Sequence, residues 1–199
     1  MSELFIGIMS GTSADSVDTV LLSISKEEIK SLGSYSHPIP DRVKHSIHEL
    51  VNSENLDKES LKVLDINLGE IFAEAVNKLL IQENVSSKAI QAIGSHGQTI
   101  KHSPNLPIPF SLQIGNAQLL ANLTGITTVS DFRSDDISAG GQGAPITPIF
   151  NNHVFTSDKK RVIINIGGIA NITLLDHTRD TIGYDTGPGN CLMDSWTRE

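Results

Sequence analysis

The chain has 199 residues, 15 Lys and Arg against 23 Asp and Glu, and a net charge of −8 with His neutral. That length allows one large domain or two small ones. An acidic chain without a basic run is no nucleic-acid binder, and no apolar run approaches the ~18 residues of a membrane span. The single Cys excludes an intrachain disulfide framework and fits a reducing, cytoplasmic compartment. Met1-Ser2-Glu3 lacks a basic leader, so no signal peptide is expected.

The predicted elements run as follows in chain order. Residues 4–9 form a short apolar strand that enters the polar turn Ser10-Gly11-Thr12-Ser13. Residues 17–24 form a second strand, close enough to make a hairpin with the first. Residues 29–36 form a third, ended by Pro38 and Pro40. Asp41 is expected to cap a helix over 41–51. From Asp57 to about Asn84, Leu61, Leu64, Leu68, Ile71, Ala75 and Leu79 repeat at spacings of three and four, the stripe of a long helix. Gly69 inside it costs about 1 kcal/mol without ending it. Residues 90–100 are strand-like with a polar centre, and Pro104, Pro107 and Pro109 mark a loop. Asn116 caps a helix that Gly125 closes. Residues 126–132 are expected as strand, 134–143 as a polar Gly-rich loop and 147–155 as helix. Runs 161–166 and 169–175 flank Gly167-Gly168 as a second hairpin. Residues 183–190 are turn-rich, and 191–196 open a helix.

Several common signatures fail. The sequence has no Gly-x-x-x-x-Gly-Lys-Ser/Thr, no complete Gly-x-Gly-x-x-Gly and no Gly-x-Ser-x-Gly. His45 and His48 are three apart, but no further ligand pattern supports a metal, and a solvated helix face is the better reading.

Four small, polar segments lie beside strands. In Ser10-Gly11-Thr12-Ser13-Ala14-Asp15-Ser16-Val17-Asp18, backbone amides and hydroxyls suit phosphate oxygens where Gly11 lets them approach. Asp15 and Asp18 suit a hydrated Mg²⁺. The alternative is an ordinary hairpin turn. The second segment, Gly94 to Thr99, puts His96 and Gln98 at a strand end, where open α/β sheets bind ligands. His96 is equally readable as a core histidine. In the third, Asp131 and Arg133 precede a Gly-rich loop and could grip a polar sugar, or form a surface pair. In the fourth, Asp185 sits before Gly187-Pro188-Gly189 and suits a general base, or caps the helix that follows.

Together these segments resemble the anhydro-N-acetylmuramic acid kinase family. The matching residues are 7–13, 95–99, 113–116, 131–133, 139–145, 165–171 and 185–190, in family order. The resemblance implies an α/β, ribonuclease-H-like (actin-like ATPase) domain over 1–159, with a mixed sheet and flanking helices. It implies the start of a second such domain over 160–199, truncated because members are longer. The implied reaction opens the 1,6-anhydro ring of anhydro-N-acetylmuramic acid with water and phosphorylates O6 from ATP and Mg²⁺, in cell-wall recycling. By resemblance Asp185 is the catalytic base. Gly11, Thr12, Ser13, Ala14, Asp15, Ser16, Val17, Asp18, Gly167 and Gly168 face the nucleotide, and His96, Gln98, Asp131 and Arg133 are weaker candidates for sugar or phosphate. Ser16 departs from the family's common Gly. Two other readings stand beside the kinase: a non-catalytic nucleotide- or partner-binding module, and a carbohydrate-binding protein without nucleotide. A homodimer or self-association of the chain is also expected.

Overall fold

The computed structural model describes residues 2–197. The residues Met1, Arg198 and Glu199, at the ends of the two expected domains, lie outside it. The described chain divides into two compact units, residues 2–103 with 111–132, and 104–110 with 133–197.

The first unit is built on a mixed sheet. Strands β1 (Glu3–Ser10), β2 (Ser16–Ile24) and β3 (Ile29–Pro38) form an antiparallel meander. Strand β4 (Ile90–Ser103) returns parallel to β1 after two helices, α1 (Asp41–Asn52) and α2 (Lys58–Gln82). The order is β3-β2-β1-β4-β5, with β5 spanning Phe110–Ile114. Helix α3 (Ala117–Thr124) leads to β6 (Thr128–Ser130), which pairs parallel to β4.

Alternation decides which face is buried. Ile6 and Ile8 of β1, Val17 and Leu21 of β2, and Ile93 of β4 all point into one core. The predicted stripe of α2 enters the same core with Leu64, Leu68, Ile71, Ala75 and Leu79, joined by Phe72 and Val76. Each fully buried side chain of this size contributes about 1.5–3 kcal/mol. Gly69 has a packing reason: an added Cβ would stand 3.0 Å from Asn116 Cβ and 3.1 Å from Asn116 O. Helix α2 therefore approaches the start of α3 closely, and the propensity cost is offset there.

Of the two expected N-caps, Asn116 and Asp41, the structure keeps the first, and Asp57 caps α2 as well. Asp57 accepts from Ser60 N–H, and Asn116 accepts from Leu119 N–H while Gly125 takes a left-handed φ of 68°. Asp41 is not a cap. Pro40 occupies that position without a side-chain bond, and Asp41 stands in the first turn, where the helix dipole favours a carboxylate. Pro38 does not stop β3 early. It pairs with Ser16 at the end of the sheet's edge strand, where a missing donor is tolerated.

The second unit holds α4 (Phe132–Ser138, from Arg133 onward), α5 (Thr147–Phe155), the antiparallel sheet β7 (Arg161–Ile166), β8 (Ile169–Leu175) and β9 (Ile182–Pro188), and α6 (Cys191–Trp196). The division between the compact units falls after Phe132. Helix α5 belongs with the sheet because buried Asn151 Nδ2 donates to buried Thr173 Oγ1 of β8 at 2.9 Å. Three expectations are corrected. Strand β6 is three residues, and Phe132 opens a helix instead of ending a strand. The expected loop over 134–143 is helical to Ser138. Residues 183–190, expected as turns, are mostly strand β9, since pairing with β8 overrides their turn propensity.

Candidate functional site

In the first unit, the carboxyl ends of the parallel strands β1, β4 and β6 fall together. Ile8 is opposite Ser95, Ser10 is opposite Gln98, and Ser95 is opposite Ser130. The turn after β1, the His96–Gly97 segment and Asp131 thus share one end of the sheet, the position where parallel α/β sheets bind ligands.

The β1–β2 turn is closed by Ala14 N–H donating to Gly11 O at 3.1 Å. Asp15 O takes Ile39 N–H at 3.0 Å, which anchors the start of β2. The residue with positive φ is the buried Ala14, at 51°, not Gly11. A Cβ built on Gly11 meets nothing within 4 Å. The space above Gly11 is therefore open, as a phosphate group approaching the backbone requires. Ser16 belongs to β2, outside the positive-φ region, so its departure from Gly costs no strain. Thr12 is exposed, Ser13 is half-buried and Val17 is buried in the core.

The two expected magnesium carboxylates differ. Asp15 Oδ1 is engaged by Lys44 Nζ of α1. Asp18 is exposed on the opposite sheet face from Val17, and Ser16 Oγ donates to its Oδ1 at 3.3 Å. Among the described residues no group of three or more His, Cys, Asp or Glu side chains is placed to hold a metal ion. Of the two, Asp18 fits a hydrated cation better.

His96 is half-buried, with Nδ1 2.9 Å from Gly97 O. It lines an open, largely apolar groove of about 580 Å³ on the outer sheet face, with Gly7, Met9, Asp18, Gly94 and Phe132. Gln98 is only 1% exposed, and its Oε1 accepts from Ser10 Oγ at 2.6 Å. It is buried in the sheet beside the end of β1. Asp131 is exposed and holds a φ of 65°, a conformation that stores strain and recurs at binding sites.

In the second unit, Asp185 is exposed on β9, opposite Asn171. The next pair is Ala170 with Gly187, so Thr186 is the extra residue of a β-bulge and Gly187 has a φ of 138°. Thr186 Oγ1 donates to Ala170 O at 3.1 Å and holds the bulge. The bulge, not a turn, sets the direction of Asp185. Asp185 does not cap α6. Asn190 occupies the cap position without a side-chain bond. Burial lowers the Arg133 pKa from its ordinary value, and the charge of Asp185 opposes that shift.

The Gly167 and Gly168 carbonyls accept from Asn190 N–H and Gly189 N–H, both at 2.8 Å. Their oxygens are therefore turned onto the β9–α6 segment. The sequence reading missed Gly189 in this role: a Cβ there would collide with the Gly167 carbonyl oxygen, 2.2 Å away. It also missed Asp136, whose Oδ2 accepts from Gly143 N–H at 2.7 Å and whose carbonyl accepts from Gly141 N–H at 2.8 Å. The Gly-rich loop after α4 is pinned around this carboxylate. Nothing in the sequence marked Asp136 above its neighbour Asp135.

An antiparallel meander followed by a parallel fourth strand on the far side of β1 defines an α/β protein with the mixed sheet and flanking helices of the ribonuclease-H-like fold. The family follows from comparison. Residues 3–199 match the model described as anhydro-N-acetylmuramic acid kinase, and the chain belongs to that family. It is 47% identical over 198 residues to the anhydro-N-acetylmuramic acid kinase of Photobacterium profundum, covering 99% of this chain and 53% of that protein. It is 48% identical over 197 residues to the protein of the same name from Saccharophagus degradans, covering 97% and 53%. The chain thus spans about half the length of these curated relatives. Solved structures with a likeness include a Ppx/GppA family member from Aquifex aeolicus (9% identity, TM-score 0.44, 94% of this chain and 52% of that one). Another is the ethanolamine utilization protein EutJ from Carboxydothermus hydrogenoformans (16% identity, TM-score 0.40, 99% and 57%). Among the described residues no helix is long and apolar enough to cross a membrane.

Proposed function

We propose that this chain carries the phosphate-binding and base-bearing portion of an ATP-dependent kinase for anhydro-N-acetylmuramic acid, acting in cell-wall recycling. The observation that carries the reading is the convergence of the Gly11 turn, His96 and Asp131 at the carboxyl ends of β1, β4 and β6. The relatives' names supply the substrate.

ATP supplies the phosphoryl group and Mg²⁺ offsets its charge, and the chain's task is positioning. The amides and hydroxyls of Gly11, Thr12 and Ser13 cradle the phosphates, with Ala14 setting the turn from the core. Asp18 carries the hydrated cation, with Asp15 committed to Lys44. Asp185 takes the proton from the water that attacks C1 of the sugar. The opening ring carries positive charge, which a carboxylate at that position also stabilises. The sugar O6 then takes the phosphoryl group. Arg133, whose pKa the charge of Asp185 raises, offers its guanidinium to sugar or phosphate oxygens. Gly167 and Gly168 form the second phosphate-facing turn, and β7–β9 opens the second ribonuclease-H-like domain.

The test is ADP release that requires both ATP and anhydro-N-acetylmuramic acid, with the 6-phosphorylated, ring-opened sugar identified by mass spectrometry. The full-length protein should turn over, and residues 1–199 alone should not, because the reacting groups must be held on all sides at once. ADP release by the full-length protein that is indifferent to the sugar would overturn the kinase reading and favour a nucleotide-binding module.

A further inference from the structure

Strand β4 carries a bulge that changes the role of Gln98. Opposite β1, the step from Ile8 to Ser10 covers two residues, while the matching step on β4, from Ser95 to Gln98, covers three. The extra residue breaks the alternation of β4. Ile93, Ser95 and Gly97 are buried before the bulge, and Gln98 and Ile100 are buried after it. Gly97 makes this possible with a φ of 76°, and an added Cβ would stand 2.7 Å from Ile114 O. His96, on the other side of the bulge, faces the outer groove.

The phase change delivers the Gln98 amide to the end of β1. Ser10 Oγ donates to Gln98 Oε1 at 2.6 Å, and Gln98 Nε2 donates to Thr99 O at 3.3 Å. Ser10 and Gln98 are 2% and 1% exposed. A bond between neutral groups this deeply buried is costly to leave unmade on one side. Ser10 is the last residue of β1, directly before the Gly11 turn, so the bond joins that turn to the His96 bulge through one side chain each.

We propose that Ser10 and Gln98 are positioning residues: their buried hydrogen bond fixes the phosphate-cradling turn against the β4 bulge. The role of the turn rests on the kinase reading above, whereas the mechanical link does not. Gln98 acts through Ser10 and touches neither sugar nor phosphate. A slip of β4 by one residue would turn Gln98 outward and release the turn.

Ser10→Ala and Gln98→Met each remove the bond with little change of volume. Two measurements on the full-length protein separate the outcomes. In steady-state kinetics, each variant should raise KM for ATP about tenfold, the worth of one hydrogen bond, with KM for the sugar within about twofold of the wild type. The double variant should be no worse than the poorer single one, because both remove one interaction. In amide hydrogen exchange, residues 11–15 should exchange faster in each variant while Ile6 and Ile8 keep their protection. The exchange result stands even if the wild type proves to bind no ATP, which would fail the kinase reading alone. Unchanged exchange in residues 11–15, or an equal loss of protection across β1 and β4, would overturn the positioning role. So would equal rises in KM for ATP and for the sugar.

Discussion

The charge of Asp185 works against the burial of Arg133: burial lowers the guanidinium's pKa from its ordinary value, and the carboxylate raises it. Arginine stays charged through such a shift. Asp185→Asn removes the base. In the full-length protein kcat should fall about 10²–10⁴-fold, the usual worth of a general base, with ATP affinity within about twofold of the wild type. Kinetics beside calorimetric ATP titration check this. Near-normal turnover would remove Asp185 from the chemistry.

Gly11→Val separates ligand approach from folding. The φ of Gly11 lies outside the positive range, and its Cβ direction is empty to 4 Å. The variant should therefore melt close to the wild type. Its ATP affinity should fall about a hundredfold, the size of one lost hydrogen bond to a charged group. Gly97→Ala, unlike Gly11→Val, should lose roughly 1–3 kcal/mol of stability through a forced φ of 76° and contact with Ile114 O. Thermal melts with ATP titration distinguish the two. Normal ATP affinity in Gly11→Val would mean that phosphate does not approach this turn.

The sequence disclosed those parts of the fold whose chemistry is local. The Leu61–Leu79 stripe, the Asn116 cap and the Gly125 close announce themselves within a few residues. Helix α4 did not, because Ser134, Asp135 and Asp136 show no apolar period and its capacity to pin Gly141 and Gly143 exists only once folded. Strand β5 was hidden behind three prolines. Strand β9 was hidden by Gly183, Gly187 and Pro188, which are turn formers until β8 pairs with them. The inward place of Gln98 was illegible for a sharper reason. Alternation from Ile93 predicts that residue 98 faces outward, and only the bulge at Gly97 reverses it.

Asn116 joins α2 to α3, so its loss should exceed that of a simple cap. Its side chain accepts from Leu119 N–H at 2.9 Å and donates to Asp65 Oδ2 at 2.8 Å. Asp65 Oδ1 also takes Gly115 N–H at 2.9 Å. Asn116→Ala should cost about 2 kcal/mol, the upper end for an N-cap, and Asn116→Asp should cost more than its good cap propensity implies, because it faces Asp65. Urea unfolding midpoints check the order. Asn116→Asp at wild-type stability would show that the Asp65 contact carries little.

The β8–β9 turn should weaken in acid. Lys160 Nζ lies 2.8 Å from Asp176 Oδ2, and Thr178 donates to Oδ1 from both Oγ1 (2.7 Å) and N–H (3.0 Å). Lys160 first, then Thr178, holds the Asp176 pKa below the ordinary carboxylate range. A carboxylate depressed on folding stabilises the fold above its unfolded pKa of ~3.9 and loses that contribution as pH falls through the folded value. Amide exchange at Thr178 and Arg179, corrected for its intrinsic pH dependence, should show lost protection below about pH 4. Asp176→Asn should already lack that protection well above that range, near neutral pH. A variant with wild-type protection there would show that the charge is idle.

The open face of the second sheet should drive the 199-residue chain to associate with itself. On β7, Val162, Ile164 and Ile166 occupy alternate positions and are 55%, 64% and 66% exposed. Their partners across the sheet are Leu174, Ile172 and Ala170, and beyond these lie Ile182 and Tyr184 of β9, both about half exposed. These side chains fall on one face, because residues opposite each other in a ladder point the same way. The other face is occupied at Thr173 by Asn151 of α5. A contiguous apolar face of this kind gains about 25 cal/mol for each Å² removed from water, and β7 also presents an outer edge, since it pairs only with β8 among the described residues. Sedimentation velocity over a hundredfold concentration range should show dimers or larger species that persist in high salt, as apolar contact does and ion pairing does not. Ile164→Lys should shift the distribution to monomer, while Ile81→Lys, a change at a still more exposed position on α2, should leave it alone. A monomer throughout the range, or association unmoved by Ile164→Lys, would show that this face is not what brings the chains together.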